Sequence, residues 1–155
     1  MATMSTPTPR REFLHLVVGY DGSPPAIRAL DAAVRLLQGR TGGIDVVYVA
    51  HLSSVVMFSP GAIAQMESDF NQIERELRAA AEEQLGGTGA AWEFRRRQGI
   101  IADELLAAAR EIRDAHAEET VVIVVGSSSH ATHRIVGSVA VDLARHSPVP
   151  LVIVP

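Results

Sequence analysis

The chain has 155 residues, 47% of them hydrophobic and 21% charged, which is typical of one globular domain with a full core. A formal net charge of −4, with one dense basic run at Arg95, Arg96 and Arg97, argues against a nucleic-acid partner. The absence of cysteine excludes disulfides, thiolate metal sites and a cysteine nucleophile.

The amino-terminal segment lacks the apolar stretch of about 7–15 residues that a secretory signal needs. We expect residues 1–12 to form a disordered arm, followed by one domain over residues 13–155. No apolar run approaches the ~20 residues needed to cross a bilayer. These features predict a cytoplasmic protein with no membrane partner.

Five short segments rich in Val, Ile, Leu or aromatic residues are predicted to be β-strands. They cover residues 13–18, 44–49, 91–95, 121–125 and 151–154. Three of them are almost wholly apolar, which is typical of strands whose two faces are both covered in a parallel sheet.

The segments between the strands have helical periodicity. A first helix is predicted to start at Ser23-Pro24, an N-cap followed by proline, and to end at Gly39. Further helices are predicted over residues 60–85, over residues 102–115 and from Ser138. The apolar stripes expected to face the core are Ile27, Leu30, Val34 and Leu37; Ile63, Met66, Phe70, Ile73 and Leu77; Leu105, Leu106, Ala109 and Ile112; and Val139, Leu143 and His146.

Strands that alternate with helices need crossover connections, which are right-handed in nearly all parallel sheets. The sequence therefore predicts an α/β fold: a doubly wound, Rossmann-like, five-stranded parallel sheet with helices on both faces. Ligands of such sheets bind beyond the carboxyl ends of the strands. The loop after the fourth strand, residues 126–138, is the first place to expect a site.

This loop leaves a buried strand at Gly126 and enters a helix at Gly137-Ser138, so its backbone amides can converge on an anion. Serine and threonine hydroxyls could donate to phosphate oxygens, and Arg134 could supply a full positive charge. The alternative is structural: Gly126 turns the chain, Ser138 caps the helix, and the other hydroxyls solvate a surface loop.

Several segments of the chain resemble the universal stress protein family. They are Val-Gly-Tyr-Asp-Gly-Ser at 18–23, Val-Val-Tyr-Val at 46–49, Gly99, and the tail. The tail reads Val-Val-Ile-Val-Val-Gly from 121, Gly-Ser at 137–138 and Ser-Pro-Val-Pro-Leu-Val-Ile-Val at 147–154. The resemblance covers nearly all of the chain after residue 12 and implies an adenine nucleotide alpha hydrolase-like fold.

Family members that bind ATP carry the pattern G-x2-G-x9-G-[S/T] in this loop. Gly126 and Gly137-Ser138 match its ends, whereas Ser129 replaces the second glycine. Seven residues separate Ser129 from Gly137, where the pattern has nine. The resemblance implies that ATP or another adenine nucleotide, with any Mg²⁺ carried by the nucleotide, binds between strands 1, 2 and 4. It assigns Asp21 to the ribose or to a place near the base, the Val49 backbone to adenine, and Gly126, Gly137 and Ser138 to the phosphates. Ser129, at the position of the second glycine, and Arg134, through its charge, are the further candidates for phosphate contacts.

At Asp21 the structural alternative is a capped turn into the first helix. A serine between two backbone segments allows less close approach than glycine, and a loop two residues shorter loses up to ~7 Å of reach. Both changes favour a smaller phosphate ligand than a triphosphate.

Other chemistries lack their residues. The chain has no lysine and no G-x4-G-K-[ST] loop, and no G-x-S-x-G elbow presents a nucleophilic serine. Of the six histidines only His130 and His133 are closely spaced, so no metal site is predicted. We therefore expect no catalytic residues, and any ATP hydrolysis to be slow and incidental.

The second hypothesis is a dimeric stress-response interaction protein that has lost nucleotide binding. The last strand, Leu151–Val154, would leave an apolar edge bare unless another chain covers it, so a homodimer through this strand is predicted. The arginine run is predicted to alternate between the faces of a charged edge strand, with one guanidinium near the crevice and the others solvated.

Overall fold

The computed structural model describes residues 12–51, 60–127 and 137–155. Strands and helices alternate along the chain, as predicted: β1 (Leu14–Gly19), α1 (Pro24–Leu37), β2 (Gly42–Ala50), α2 (Pro60–Leu85), β3 (Ala91–Gln98), α3 (Ile101–Ala115), β4 (Thr120–Gly126), α4 (Ser138–His146) and β5 (Leu151–Val154). No helix among the described ranges is both long and apolar enough to span a membrane. Residues 1–11 of the predicted arm, and Ser129, His130, His133 and Arg134, lie outside the described residues.

The five strands form one parallel sheet in the order β3-β2-β1-β4-β5. Helix α1 and the end of α2 cover one face, while α3 and α4 cover the other. The doubly wound α/β fold is thus confirmed. The chain winds outward from β1 to β3 and then returns to β4 on the other side of β1, so the winding reverses between β1 and β4.

The central strands are apolar because helices cover both of their faces. Leu16, Val17 and Val18 of β1 and Ile123 and Val124 of β4 are fully buried. Strands β2 and β3 are longer than predicted: β2 extends over Gly42–Ala50, and β3 continues to Gln98. Their added residues alternate less clearly in hydrophobicity, which is why the pattern missed them.

The predicted inner stripe of α1 is wrong at one position. Ile27 is 40% exposed, whereas Ala26, Ala29 and Ala33 are buried beside Leu30 and Leu37. Small side chains allow the helix to lie close to the sheet, so alanine rather than isoleucine occupies this face. In α4 the same rotation places Ala140 and Leu143 in the core and leaves His146 exposed.

Helix α2 has the predicted bounds, but only part of its predicted inner stripe faces the core. Ile63 and Ile73 are exposed, while Ala81 and Leu85 near its end are buried. Phe70 and Leu77 are partly buried against the same core cluster. The helix therefore contacts the sheet mainly through its second half, and its first turns carry apolar side chains that face solvent in this chain.

Strand β3 is a sheet edge, as predicted for the arginine run, but its arginines are more fully paired than expected. Arg96 donates to Glu67 and Asn71 of α2 at 2.9 and 2.6 Å. Arg97 on the opposite face donates to Glu104 and Glu111 of α3 at 2.8 and 2.9 Å. Their side chains are 19% and 21% exposed, so these two guanidiniums anchor helices instead of lying free in solvent.

Candidate functional site

A cavity of about 240 Å³ lies where the winding reverses, at the carboxyl ends of β1, β2 and β4. Five of the residues predicted from the sequence line it: Asp21, Val49, Gly126, Gly137 and Ser138. The other described lining residues are Gly19, Tyr20, Ser23, Pro25, Ala26, Val47, Ile101, Leu105, Val125, Val139 and Ala140. The fold thus brings together segments more than a hundred residues apart in the sequence.

The turn from β1 into α1 is held by its own side chains. Asp21 Oδ1 accepts a hydrogen bond from the Ser23 amide at 3.0 Å, and Ser23 Oγ accepts one from the Ala26 amide at 3.4 Å. Gly22 between them has a φ of 75°, which favours glycine. Asp21 therefore has the structural role considered above, but that role uses one carboxylate oxygen of an exposed side chain at the cavity mouth.

The Val49 backbone faces the cavity because β1 ends before it. The Val47 carbonyl accepts from the Tyr20 amide at 2.9 Å, so the peptide groups of Val47 face β1. Backbone groups alternate sides along a strand, so those of Val49 face the same way, beyond the last β1 residue Gly19. Ala50 faces the other way and accepts from the Gly99 amide at 3.1 Å. Strand β2 runs one residue further than predicted, to Ala50, and its pairing with β1 ends at Val47, so no β1 residue pairs with Val49.

Gly126 has a packing role that is independent of any ligand. A Cβ at this position would lie 2.3 Å from the Pro25 carbonyl oxygen and 2.4 Å from its carbonyl carbon. The end of β4 and the first turn of α1 therefore approach so closely that only glycine fits. This contact accounts for Gly126 whether or not a phosphate binds nearby.

Helix α4 begins one residue earlier than a serine cap would require. Gly137 is the N-cap, with φ −60° and ψ 158°, and Ser138 is the first helical residue, so the predicted capping role of Ser138 is wrong. The first intrahelical bond runs from the Val141 amide to the Gly137 carbonyl at 3.1 Å. The amides of Ser138, Val139 and Ala140 precede this ladder, at the positive end of the helix dipole and on the cavity wall.

The cavity combines an apolar floor with a polar rim. The side chains of Val47, Ile101, Leu105 and Val125 form the floor, and Asp21 is the only charged residue in the described lining. The floor residues were not predicted as site residues, because an apolar residue of a strand or helix has the same sequence pattern whether it lines a cavity or packs in the core. Ser129 and Arg134, which were predicted to contact phosphates, lie outside the described residues.

The fold and this crevice define a doubly wound α/β protein, a class in which ligands bind at the switch point of the sheet. The model of the universal stress protein family matches residues 12–155. The chain therefore belongs to the universal stress protein family. A search of curated protein sequences gave no match.

Solved structures of universal stress proteins share this fold. UspA from Lactobacillus plantarum is 18% identical, with a TM-score of 0.74 over 94% of this chain and 100% of that one. A universal stress protein in complex with cAMP is 24% identical, with a TM-score of 0.60 over 92% and 97% of the two chains. A family member from Arabidopsis thaliana with AMP bound is 14% identical, with a TM-score of 0.59 over 91% and 90%.

Proposed function

We propose that this protein is a stress-response regulatory module that binds an adenine nucleotide in the cavity between β1, β2 and β4. The observation that carries the proposal is the convergence of Asp21, Val49, Gly126, Gly137 and Ser138 on one cavity. Two structural neighbours, one in complex with cAMP and one with AMP bound, support this class of ligand.

Each part of a nucleotide has a matching surface. The apolar floor fits the faces of an adenine ring, and the Val49 backbone offers a donor and an acceptor to its polar edge. The Asp21 carboxylate accepts hydrogen bonds from ribose hydroxyls at the mouth. The phosphate lies against the first turn of α4, where free amides, the helix dipole and the Ser138 hydroxyl favour an anion.

The loop after β4 favours AMP or cyclic AMP over ATP. It is two residues shorter than the family pattern, and Ser129 stands in place of the second glycine. Both changes limit how closely backbone can wrap a triphosphate. ATP with its Mg²⁺ is the weaker candidate.

The proposed role is regulatory, not catalytic. Asp21, the one charged group of the described lining, is engaged with the Ser23 amide of its own turn. General acid–base catalysis of phosphate transfer needs a group placed at the reacting phosphorus, and Asp21 lies at the ribose end of the pose. We infer that binding alters how the protein interacts with cytoplasmic partners.

Replacing Asp21 with asparagine tests the pose without breaking the turn. The side-chain oxygen of the introduced asparagine can still accept from the Ser23 amide, while the second carboxylate oxygen becomes an NH₂ group that cannot accept from ribose. A hydrogen bond to a charged group contributes about 1.5–3 kcal/mol. We expect D21N to bind AMP about 10- to 100-fold more weakly by isothermal titration, with an unchanged melting temperature.

Asp69→Asn is the matched control. Asp69 is an exposed α2 residue whose Oδ1 accepts from Gln65 at 2.9 Å, and it is not among the described cavity lining. D69N should bind AMP as the wild type does. Equal AMP affinity in D21N and the wild type would contradict the ribose assignment.

We propose in addition that the protein forms a homodimer through β5. This strand pairs with β4 on one side, and each of its four residues is only half-buried in the isolated chain. A second copy of β5 would cover this apolar edge. Light scattering should give the mass of two chains at micromolar concentration, and a monomer mass over that range would refute the interface.

A further inference from the structure

Three side chains of types that bind metals meet at the amino-terminal ends of the strands, on the opposite side of the sheet's length from the cavity proposed for the nucleotide. His15 lies near the start of β1, His116 follows the last residue of α3, and Glu119 directly precedes β4. Each offers one ligand atom, and the three atoms lie within 4.8 Å of one another. Segments a hundred residues apart in the chain are therefore joined here by one polar cluster.

The two imidazoles converge on the same carboxylate oxygen. His15 Nε2 is in contact with Glu119 Oε2, and His116 Nδ1 lies 3.4 Å from that oxygen. The two histidine rings are tilted against each other with their centroids 5.0 Å apart, and Phe13 packs against the ring of His15 with a centroid distance of 4.6 Å. These contacts place the ring of His15 beside the carboxylate and the second imidazole.

We propose that His15, His116 and Glu119 form a binding site for a divalent transition metal, with zinc as the best fit. Two histidines and a glutamate with an open fourth position are one of the ligand sets that zinc takes in proteins. Ligand atoms around tetrahedral zinc, with bonds of about 2.0–2.1 Å, lie about 3.3 Å apart. The His116–Glu119 distance of 3.4 Å already has this value, and side-chain rotation of His15 adjusts the other two.

The surroundings of the cluster favour a cation. The side chains of His15 and Glu119 are 13% and 31% exposed, so water competes only partly for the ligands. A cavity of about 250 Å³ adjoins the histidines and leaves room for a water molecule as the fourth ligand. Two more carboxylates, Asp45 and Glu93, line this cavity against one guanidinium, Arg95, so negative charge predominates.

The sequence predicted no metal site because only His130 and His133 are closely spaced. The structural cluster combines a strand residue with two residues of the α3–β4 connection, and no spacing rule links them. A metal here would tie β1 to that connection and would stabilise the amino-terminal edge of the sheet. It is separate from the nucleotide cavity, since no ligand of the cluster lines that cavity in the described part of the chain.

Titration of the full, untagged and chelator-treated chain with Zn²⁺ tests the site. We expect one Zn²⁺ per chain with a Kd of about 10 μM or below, and Co²⁺ should give the intense visible absorbance of a four-coordinate site. Saturating Zn²⁺ should raise the melting temperature by about 5 °C or more, because it binds the folded state.

His116→Asn and Glu119→Gln are the informative variants, because both residues lie near the surface and their substitution should leave the fold intact. Each should weaken Zn²⁺ binding by about 100-fold or more and abolish the thermal shift. His146→Asn is the matched control, since His146 is exposed on α4 with Nδ1 3.0 Å from the Asp142 carbonyl oxygen, and it should bind as the wild type does. Absence of Zn²⁺ binding by the wild type would overturn the proposal, as would binding that survives H116N but is lost when His130 and His133 are replaced.

Discussion

Replacing Ser138 with glutamate is expected to abolish AMP binding without loss of stability. The new carboxylate would stand at the first residue of α4, where the proposed phosphate lies. Two unit charges ~4 Å apart near a protein surface repel by about 4 kcal/mol, so we expect a loss of affinity of about 100-fold or more. A carboxylate in the first turn stabilises a helix by about 0.3–1 kcal/mol, so the melting temperature should stay equal or rise.

Ser138→Gln separates the charge from the added bulk. Glutamine has the size of glutamate without its charge, so S138Q should lose about tenfold or less in AMP affinity by isothermal titration. The two variants should differ in affinity by about tenfold or more. Equal AMP affinities for S138E and S138Q would mean that no phosphate lies at the start of α4.

Gly126→Ala is expected to destabilise the protein more than the addition of a single methyl group elsewhere in the site. The new Cβ would meet backbone atoms of Pro25 at 2.3 and 2.4 Å, and backbone cannot rotate away as a side chain can. Overpacking usually costs about 1–3 kcal/mol. We expect the upper end here, about 3 kcal/mol, which corresponds to a melting temperature lower by about 6–12 °C.

Gly61→Ala in α2 is the matched control, because a Cβ at Gly61 meets no atom of the described residues within 4 Å and the residue is helical. Calorimetry should show G61A to be as stable as the wild type or slightly more stable, since alanine favours helix. A melting temperature of G126A within about 2 °C of that of the wild type would contradict the packing role of Gly126.

The fold was predictable because the alternation of apolar strands and amphipathic helices extends along the whole of the predicted domain. Apolar runs such as that of β4 are typical of strands buried on both faces, and their alternation with helices leaves few topologies. The inner face of α1 was harder to predict. Its spacing allowed either Ile27 or the alanines to face the sheet. The alanines face it because they allow the helix to pack closely on the sheet, and this depends on tertiary contacts that the sequence pattern does not show.

The residues at the rim of the cavity were predictable, and the apolar residues of its floor were not. Asp21, Val49, Gly126, Gly137 and Ser138 line one cavity because parallel strands place their carboxyl ends along one edge. Residue type alone could not separate binding from structure, and the structure shows packing or turn-forming roles for Asp21 and Gly126 beside the proposed ones. The phosphate contacts assigned to Ser129 and Arg134 remain predictions.

The His15, His116 and Glu119 cluster could not be found from residue spacing. Its members come together only because β1 and β4 are neighbours in the sheet, which places the start of β1 beside the α3–β4 connection. Such a cluster can therefore be found once the order of the strands in the sheet is known, but not from residue spacing along the sequence.

The central claim is that the cavity between β1, β2 and β4 binds an adenine nucleotide, and isothermal titration of the wild-type chain with AMP tests it most directly. A Kd below about 1 mM would correspond to a binding free energy more favourable than about −4 kcal/mol. We expect saturable binding of one AMP per chain within that limit, tighter than that of ATP, with no binding of GMP. Absence of binding by AMP, cyclic AMP, ADP and ATP alike would contradict the proposed function.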